Sequence, residues 1–404
     1  MKKIVIIGGG AAGYFTAINA KESNPNLDVT ILEKGKEVLQ KVKISGGGRC
    51  NVTHACFEPK ELVKFYPRGE KELLGPFHQF MTGDTFEWFD DRGVPLKIEG
   101  DNRVFPEANT SQAIIDCFQK SVDILGIKVL RNHGVNTVTK KDDTWSIHTK
   151  EQVFEADQLV IAAGSSKKVW ELCETLDHAV VAPVPSLFTF NINDKRLVDL
   201  LGTSVPNATV TISGTKLEAS GPLLITHWGM SGPAVLKLSA FGARILADKH
   251  YQYNVEVNWL SRPTDKVLNV LLNLKKKEPR KTVILKSPFT EVSRRLWERF
   301  VLFSDISKTQ NWADLNNAQL EKLANQLTKG IYNANGRTTF KEEFVTAGGV
   351  DLKEINFKRF ESRKHNNLFF VGEVLNIDAV TGGFNFQNAW TGGYICAKAL
   401  AEEV

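Results

Sequence analysis

Gly8, Gly10 and Gly13 constrain this chain more than any other feature. They lie between the apolar run Ile4-Val5-Ile6-Ile7 and a helical pattern from Ala11 to Ser23. A continuous apolar run suits a parallel strand covered on both faces. In the G-x-G-x-x-G spacing the first glycine allows a sharp turn and the second lets a pyrophosphate approach the backbone. The third lets the following helix pack closely on the sheet. That helix, opened by Ala11 and Ala12, directs free N–H groups and a positive dipole end toward phosphate. Val29-Thr30-Ile31-Leu32 reads as a second strand, and Glu33 closes it 20 residues after Gly13. A carboxylate there accepts hydrogen bonds from adenosine ribose hydroxyls and repels a 2′-phosphate, which disfavours NADP as the resident nucleotide.

Later segments predict the rest of a discontinuous fold. Residues 35–110 read as loop-rich and 111–125 as a helix, followed by strand-like runs at 128–130, 134–139, 144–149 and 153–156. A buried strand then runs into Ala162-Ala163-Gly164. After Pro183-Val184-Pro185 the period-two stretches 207–214 and 251–260 predict antiparallel strands, with a helix starting at Ser231-Gly232-Pro233. Helical patterns occupy 263–329, a buried strand lies within 366–375, and 384–403 reads as a terminal helix. The expectation is an α/β, doubly wound nucleotide domain of residues 1–189 and 336–404. An inserted domain of residues 190–335 is expected to be β-rich over 190–260 and helical over 261–335.

Three features favour FAD over NAD. Only one dinucleotide fingerprint is visible. The block Lys43-Ile44-Ser45-Gly46-Gly47-Gly48-Arg49-Cys50-Asn51 offers glycine amides and a guanidinium that extend the phosphate cradle. Near the C-terminus, Glu373 follows a buried strand, and Gly382-Gly383 opens a helix. Glu373 can accept from ribityl hydroxyls. The helix dipole can stabilise negative charge on a reduced flavin.

With these residues in place, the chain resembles the BaiN-like/aminoacetone-oxidase-like family of FAD-binding flavoproteins. The resemblance rests on IGGGAAG, KISGGGRCN, RVFPEA, THWGMSGPAVLKLS, TAGGV and GEVLNIDAVTGGFNFQNAWTGG. It implies a discontinuous FAD domain with an insert having a β-barrel-like part and a helical part. It also implies oxidoreductase activity, toward unsaturated keto-steroid-type compounds in some members and amino-ketones in others. By position it implies cofactor contacts at Gly8, Gly10, Ala12, Gly13, Glu33, Lys34, Gly47, Gly48, Arg49, Cys50 and Asn51. Ala163, Gly164, Gly372, Glu373, Gly383, Asn385 and Gln387 match as well, and Ala11, Val135 and Phe384 complete the expected set. The chain departs from the family pattern at Asn376, Ala379 and Phe384, where Asp, Gly and Tyr are usual.

Flavin carries the electron chemistry, so the protein must orient groups, move protons and exclude water. The expected reaction takes reducing equivalents from a transient NADH or NADPH to a small or steroid-like acceptor, or oxidises a small amino-ketone with oxygen. His227, in THWGMSGP, is the candidate proton-transfer group, since an imidazole exchanges protons near neutral pH. Its alternative is a structural histidine at a strand–helix junction. His54 and His78 have no comparable context. Cys50 and Cys56 raise a rival, a flavin disulfide reductase. Their C-x5-C spacing places the side chains ~240° apart on a helix, so bridging requires a non-helical loop. Another alternative is a redox sensor or RNA-associated flavoprotein without small-molecule turnover.

Composition narrows the setting. The net charge of +5 is mild, and Lys275-Lys276-Lys277 reads as a solvated helix end, so no nucleic-acid partner is expected. No apolar run approaches the ~18–20 residues of a membrane span. Five scattered cysteines without C-x-x-C or an export signal point away from metal ligation and toward a reducing, cytoplasmic setting.

Overall fold

The computed structural model describes residues 1–339 and 345–402. The chain forms two compact units, Met1–Val184 with Val345–Val404, and Pro185–Phe344.

The first unit is a Rossmann-type α/β layer. Strand β1 (Lys3–Ile7) leads into helix α1 (Ala11–Ser23) and then strand β2 (Asp28–Leu32). Strand β1 is flanked by parallel partners, β2 on one side and Gln158–Ile161 on the other. Lys128–Leu130 extends the sheet beyond β2, and Leu368–Phe370 lies parallel to Gln158–Ile161. Two short antiparallel strands, Glu361–Ser362 and Ile355–Asn356, finish that edge. Ile4, Val5, Ile6 and Ile7 are all buried, as a strand covered on both faces requires.

The terminal helix, Phe384–Ala401, packs against α1. A Cβ at Gly393 would stand 3.1 Å from Thr16 Oγ1, and the Phe15 and Trp390 ring centroids are 5.2 Å apart. Glycine thus brings two backbones together, and aromatic area fills the remaining space. Both ends of the chain build one core.

Residues 40–106, expected as loop, hold short helices and a small sheet. The helices are Gln40–Gly48, Pro59–Leu62, Glu70–Phe77 and Thr82–Asp90. Arg103–Pro106 pairs with both Thr53–His54 and Leu96–Ile98. These elements are too short, and too often broken by Gly and Pro, to display a period in sequence.

The second unit is a closed six-stranded antiparallel barrel with helices. Around the barrel run Thr189–Ile192, Gly229–Ser231, Glu218–Ile225, Ser204–Ile212, Gln252–Asn258 and Gly330–Thr338. Pro233 occupies the first turn of helix Pro233–Phe241, where its missing N–H costs nothing. Helices Thr264–Lys277, Arg294–Leu302 and Asn317–Thr328 lie between the last two strands in sequence. Gly330–Thr338 corrects the expectation of helix to residue 335. Gly330, Tyr332 and Ala334 are buried, while Ile331, Asn333 and Asn335 are exposed, a period of two. One apolar cluster joins barrel residues such as Val210, Val255 and Leu223 to helical residues such as Trp297, Phe300 and Leu323.

Candidate functional site

At the C-terminal ends of the parallel strands, three segments of the first unit meet. The β1–α1 turn lies directly on the strand exit at Ala162. Gly8 has φ +117°, and a Cβ there would fall 2.5 Å from the Ala162 carbonyl oxygen. A Cβ at Gly13 would fall 2.1 Å from the Gly8 carbonyl oxygen, so neither position accepts a side chain without backbone movement. A Cβ at Gly10 meets nothing within 4 Å. The N-terminus of α1 has no side-chain cap, and its first described backbone bond is Tyr14 N–H to the Gly10 carbonyl at 3.1 Å. Ala11 and Ala12 thus lie at an uncapped helix end, with donors directed into open space.

Glu33 closes β2 as expected. Its two carboxylate oxygens accept from the amides of Gly9 and Gly35, each at 2.8 Å. Those bonds fix the carboxylate beside the glycine turn. The Glu33 amide donates to Leu130 and its carbonyl accepts from His133, tying the turn to the 130–135 segment that carries buried Val135. Exposed Lys34 lies next to Gly134, where a Cβ would stand 3.4 Å from that of Lys34.

Gly164 and Glu373 form the second side. A Cβ at Gly164 would be 3.6 Å from Glu373 Oε2, and one at Gly372 would be 3.0 Å from Ala12 Cβ. Glu373 Oε2 is ion-paired with Lys41, whose Nζ also donates to Ser165 Oγ at 3.3 Å. Glu373 Oε1 is buried and has no hydrogen-bond partner, and the same is true of Asn376 Oδ1. Buried carboxylate and amide oxygens without donors are costly unless a bound group supplies them. Ala163 and Gly164 are half-buried at the strand exit.

The third side is the 45–54 segment with the terminal helix. Gly47 and Gly48 both face open space. Arg49 donates through Nη1 to Glu99 Oε1 at 2.6 Å and stacks 3.9 Å from the Phe105 ring centroid. A carboxylate and an aromatic face so close by capture the guanidinium. Cys50 is fully buried, and burial pushes its thiol up to about 12. The Asn51 side-chain oxygen accepts from the Gly383 amide at 3.0 Å, while its nitrogen donates to the carbonyls of Thr53 and Val104. Gly383, at φ +92°, caps the terminal helix, and a Cβ there would strike the Thr53 carbonyl at 2.5 Å.

Side chains beyond Gly383 are used internally. Asn385 Oδ1 accepts from the Ala379 amide at 3.0 Å. Gln387 is wholly buried, accepting from Thr53 and Thr85 hydroxyls and donating to Thr391. Phe384 is buried and stacked on Phe65 with centroids 4.3 Å apart. These three side chains shape the floor beneath the start of the terminal helix.

His54 is the group that sequence reasoning missed. Its Nδ1 is 3.2 Å from the Gly382 carbonyl oxygen, and its ring lies 4.5 Å from that of Phe384. Burial lowers its pKa, opposed by the Gly382 carbonyl and Asp101, with Arg103 adding to the lowering. No local pattern signals it; the strand pair Thr53–His54 and Arg103–Pro106 sets its position. His227 and Trp228, by contrast, are exposed on the barrel turn between Ile225 and Gly229, with ring centroids 5.2 Å apart. His227 has no hydrogen-bond or ion-pair partner among the described residues, and its ring packs edge-on against Trp228. All five cysteines are free thiols.

Residues 2–399 match the family profile described as the HI0933-like protein Rossmann domain. The chain is 27% identical to the ribosomal RNA dihydrouridine synthase of Haemophilus influenzae, covering 99% of this chain and 98% of that one. It is 27% identical to the synthase of the same name in Escherichia coli, covering 98% of this chain and 97% of that one. It is 25% identical to the 3-dehydro-bile acid delta(4,6)-reductase of Clostridium scindens, with both chains covered in full at 100%. In fold it is similar to the crystal structure of 3-ketosteroid-delta4-(5alpha)-dehydrogenase from Rhodococcus jostii RHA1. That likeness has a TM-score of 0.51 at 11% identity, over 100% of this chain and 97% of that one. The chain belongs to the HI0933-like Rossmann family and is an FAD-dependent oxidoreductase of that fold.

Proposed function

We propose that this protein reduces a carbon–carbon double bond conjugated to a carbonyl, with the uracil ring of RNA as the acceptor and NADH or NADPH as a transient reductant. One observation carries the reading: the whole-length relatives named for dihydrouridine synthesis and for bile-acid delta(4,6) reduction share one bond change. Dihydrouridine is uridine with hydrogen added across C5=C6, which is conjugated to the C4 carbonyl. A 3-oxo steroid with unsaturation at positions 4 and 6 presents the same electronic pattern. In uracil and in the steroid 4-ene a hydride adds at the β-carbon and a proton at the α-carbon; in the 6-ene the same polarity is relayed through the diene, with hydride at C7 and the proton at C6.

FAD, when bound, supplies two-electron hydride chemistry, and the chain supplies binding, orientation and the proton. The open backbone at Gly10, Gly47 and Gly48 and the unpartnered Glu373 Oε1 fit a ligand with phosphate acceptors and hydroxyl donors. In this reading the amides of residues 10–13 hold the pyrophosphate and Glu33 holds the adenosine ribose. The backbone around Lys34 and Val135 borders the adenine. Gly47 and Gly48 complete the phosphate cradle, with Ala163, Gly164 and Gly372 bounding its far wall, while Glu373 takes a ribityl hydroxyl. Arg49, Cys50, Asn51, Phe384, Asn385 and Gln387 support the backbone beneath. His54, oriented through Nδ1 by Gly382, presents Nε2 to protonate the α-carbon of the acceptor.

The test is anaerobic. The yellow protein is mixed with NADH and with NADPH, and the bleached protein then receives deproteinised RNA, a 3-oxo-4-ene steroid or oxygen in separate runs. Recovery of the oxidised flavin band with RNA supports the reading. Recovery with the steroid and not with RNA replaces the acceptor by a small enone. No bleaching with either nicotinamide removes NAD(P)H from the scheme.

A further inference from the structure

We infer that the helical layer of the second unit, residues 262–308, is a binding face for the phosphate backbone of RNA. The proposal rests on the RNA reading above and names the surface that serves it. The charge of the chain is not evenly shared. Residues 185–344 contain 22 Lys and Arg against 14 Asp and Glu, a net +8, whereas the rest of the chain contains 29 against 32, a net −3. The modest total of +5 conceals this split. Within residues 262–308 alone there are 12 basic and 5 acidic side chains. A basic patch confined to one part of a protein is the electrostatic footprint of a polyanion ligand.

Several of these cations are already satisfied. Arg294 pairs with Glu298, Lys281 with Glu278, Arg262 with Glu291, and Lys275 donates to the Leu315 carbonyl. Lys276, Lys277, Arg280, Lys286 and Arg295 are exposed and have no ion pair or hydrogen bond among the described residues. They project from the end of Thr264–Lys277, the following turn and the first turn of Arg294–Leu302.

That turn is rigidly held. The Pro279 carbonyl accepts from Ala313 and the Lys281 carbonyl from Trp312, at 2.9 and 3.0 Å. The Val283 amide donates to Gln310 at 3.0 Å, and its carbonyl accepts from Trp297 Nε1 at 2.9 Å. Cations on a pinned backbone lose less freedom on binding than those on a mobile tail. RNA is favoured over an anionic membrane because these helices turn their main apolar stripes into the core. Val267, Leu271, Leu296, Trp297, Phe300 and Val301 are buried, and the exposed apolar residues Val270, Leu285 and Leu302 lie on three separate elements rather than along one helix face.

The test uses the full flavin-loaded protein and a labelled single-stranded RNA, with affinity measured across roughly 50–200 mM salt. The variant Lys276→Glu/Lys277→Glu/Arg280→Glu should bind at least tenfold more weakly. Its log–log salt slope should be shallower by about 2, since each single-strand phosphate contact contributes about 0.7. Lys60→Glu/Lys141→Glu/Lys150→Glu makes the same charge change in the first unit and should bind as the parent does. Flavin absorbance and the unfolding midpoint show that both variants are folded. Parental affinity and slope in the first variant, or equal weakening in both, overturns the proposal. So does binding to anionic phosphatidylserine vesicles with none to RNA. RNA binding that behaves as stated, without any dihydrouridine formed by the parent, leaves this surface in place and removes the proposed reaction.

Discussion

The Nδ1 atom of His54 lies 3.2 Å from the carbonyl oxygen of Gly382, joining residues 328 positions apart at the mouth of the terminal helix. A carbonyl accepts only, so Nδ1 carries the hydrogen and Nε2 is the atom that gains and loses a proton. His54→Gln should slow reoxidation of the reduced protein by its acceptor by on the order of 10²-fold, leaving reduction by NAD(P)H unchanged. Burial holds the imidazole pKa below the ordinary 6.5, so the cation is populated only at lower pH. Asp101 opposes this shift, and Arg103 reinforces it. Parental reoxidation should therefore quicken as pH falls through that pKa, and stopped-flow traces of the variant should lose this limb.

Glu33 binds two amides of the turn, Gly9 and Gly35, through its two carboxylate oxygens. Hydrogen bonds to a charged group contribute roughly 1.5–3 kcal/mol each. Glu33→Ala should weaken FAD retention by about tenfold to a hundredfold, measured by fluorescence of flavin released on dilution. Gly13→Ala should be worse and yield colourless protein, because the new methyl meets the Gly8 carbonyl at 2.1 Å.

Asp378 is fully buried and ion-paired with Arg68, bridging the loop before the terminal helix to residues 65–69. Asp378→Asn removes the charge that compensates a largely buried guanidinium and should cost about 3–5 kcal/mol. Urea unfolding followed by tryptophan fluorescence reads this as a lower midpoint. His54 and Gly382 would lose register in the same variant.

The disulfide-reductase reading makes a contrary demand on cysteine. Burial raises the Cys50 thiol to about 12, so it is no thiolate at physiological pH, and burial raises that of Cys56 as well. Cys50→Ala and Cys56→Ser should each retain acceptor turnover within about twofold. Loss of turnover with FAD retained in either variant would restore the thiol mechanism.

The cradle was legible because its demands are local. A buried strand, three glycines at fixed offsets and a carboxylate at the end of the next strand leave few other solutions. The terminal helix was legible for the same reason, through Gly382-Gly383 and an apolar face. What escaped depends on pairings between distant segments. His54 acquires its context only when Thr53–His54 pairs with Arg103–Pro106 and meets Gly382. The hydrogen bond from Arg49 to Glu99, 50 residues away, likewise has no signature in the glycine block that carries Arg49. Gly330–Thr338 alternates Gly, Tyr and Ala inward, residues too mixed in size to stand out from the helical patterns before them. The basic character of residues 185–344 was diluted by the acidic remainder of the chain.

The central claim, reduction of uracil in RNA by this flavoprotein, is tested most directly by nucleoside mass spectrometry. Deproteinised ribosomal RNA from cells lacking the protein is incubated with the purified enzyme and NAD(P)H, digested and compared with a mock reaction. The account predicts a uridine heavier by two hydrogens, formed in proportion to NAD(P)H consumed and absent with the FAD-free Gly13→Ala variant. Unchanged RNA, with the same enzyme preparation rapidly reducing a 3-oxo-4-ene steroid, would contradict it.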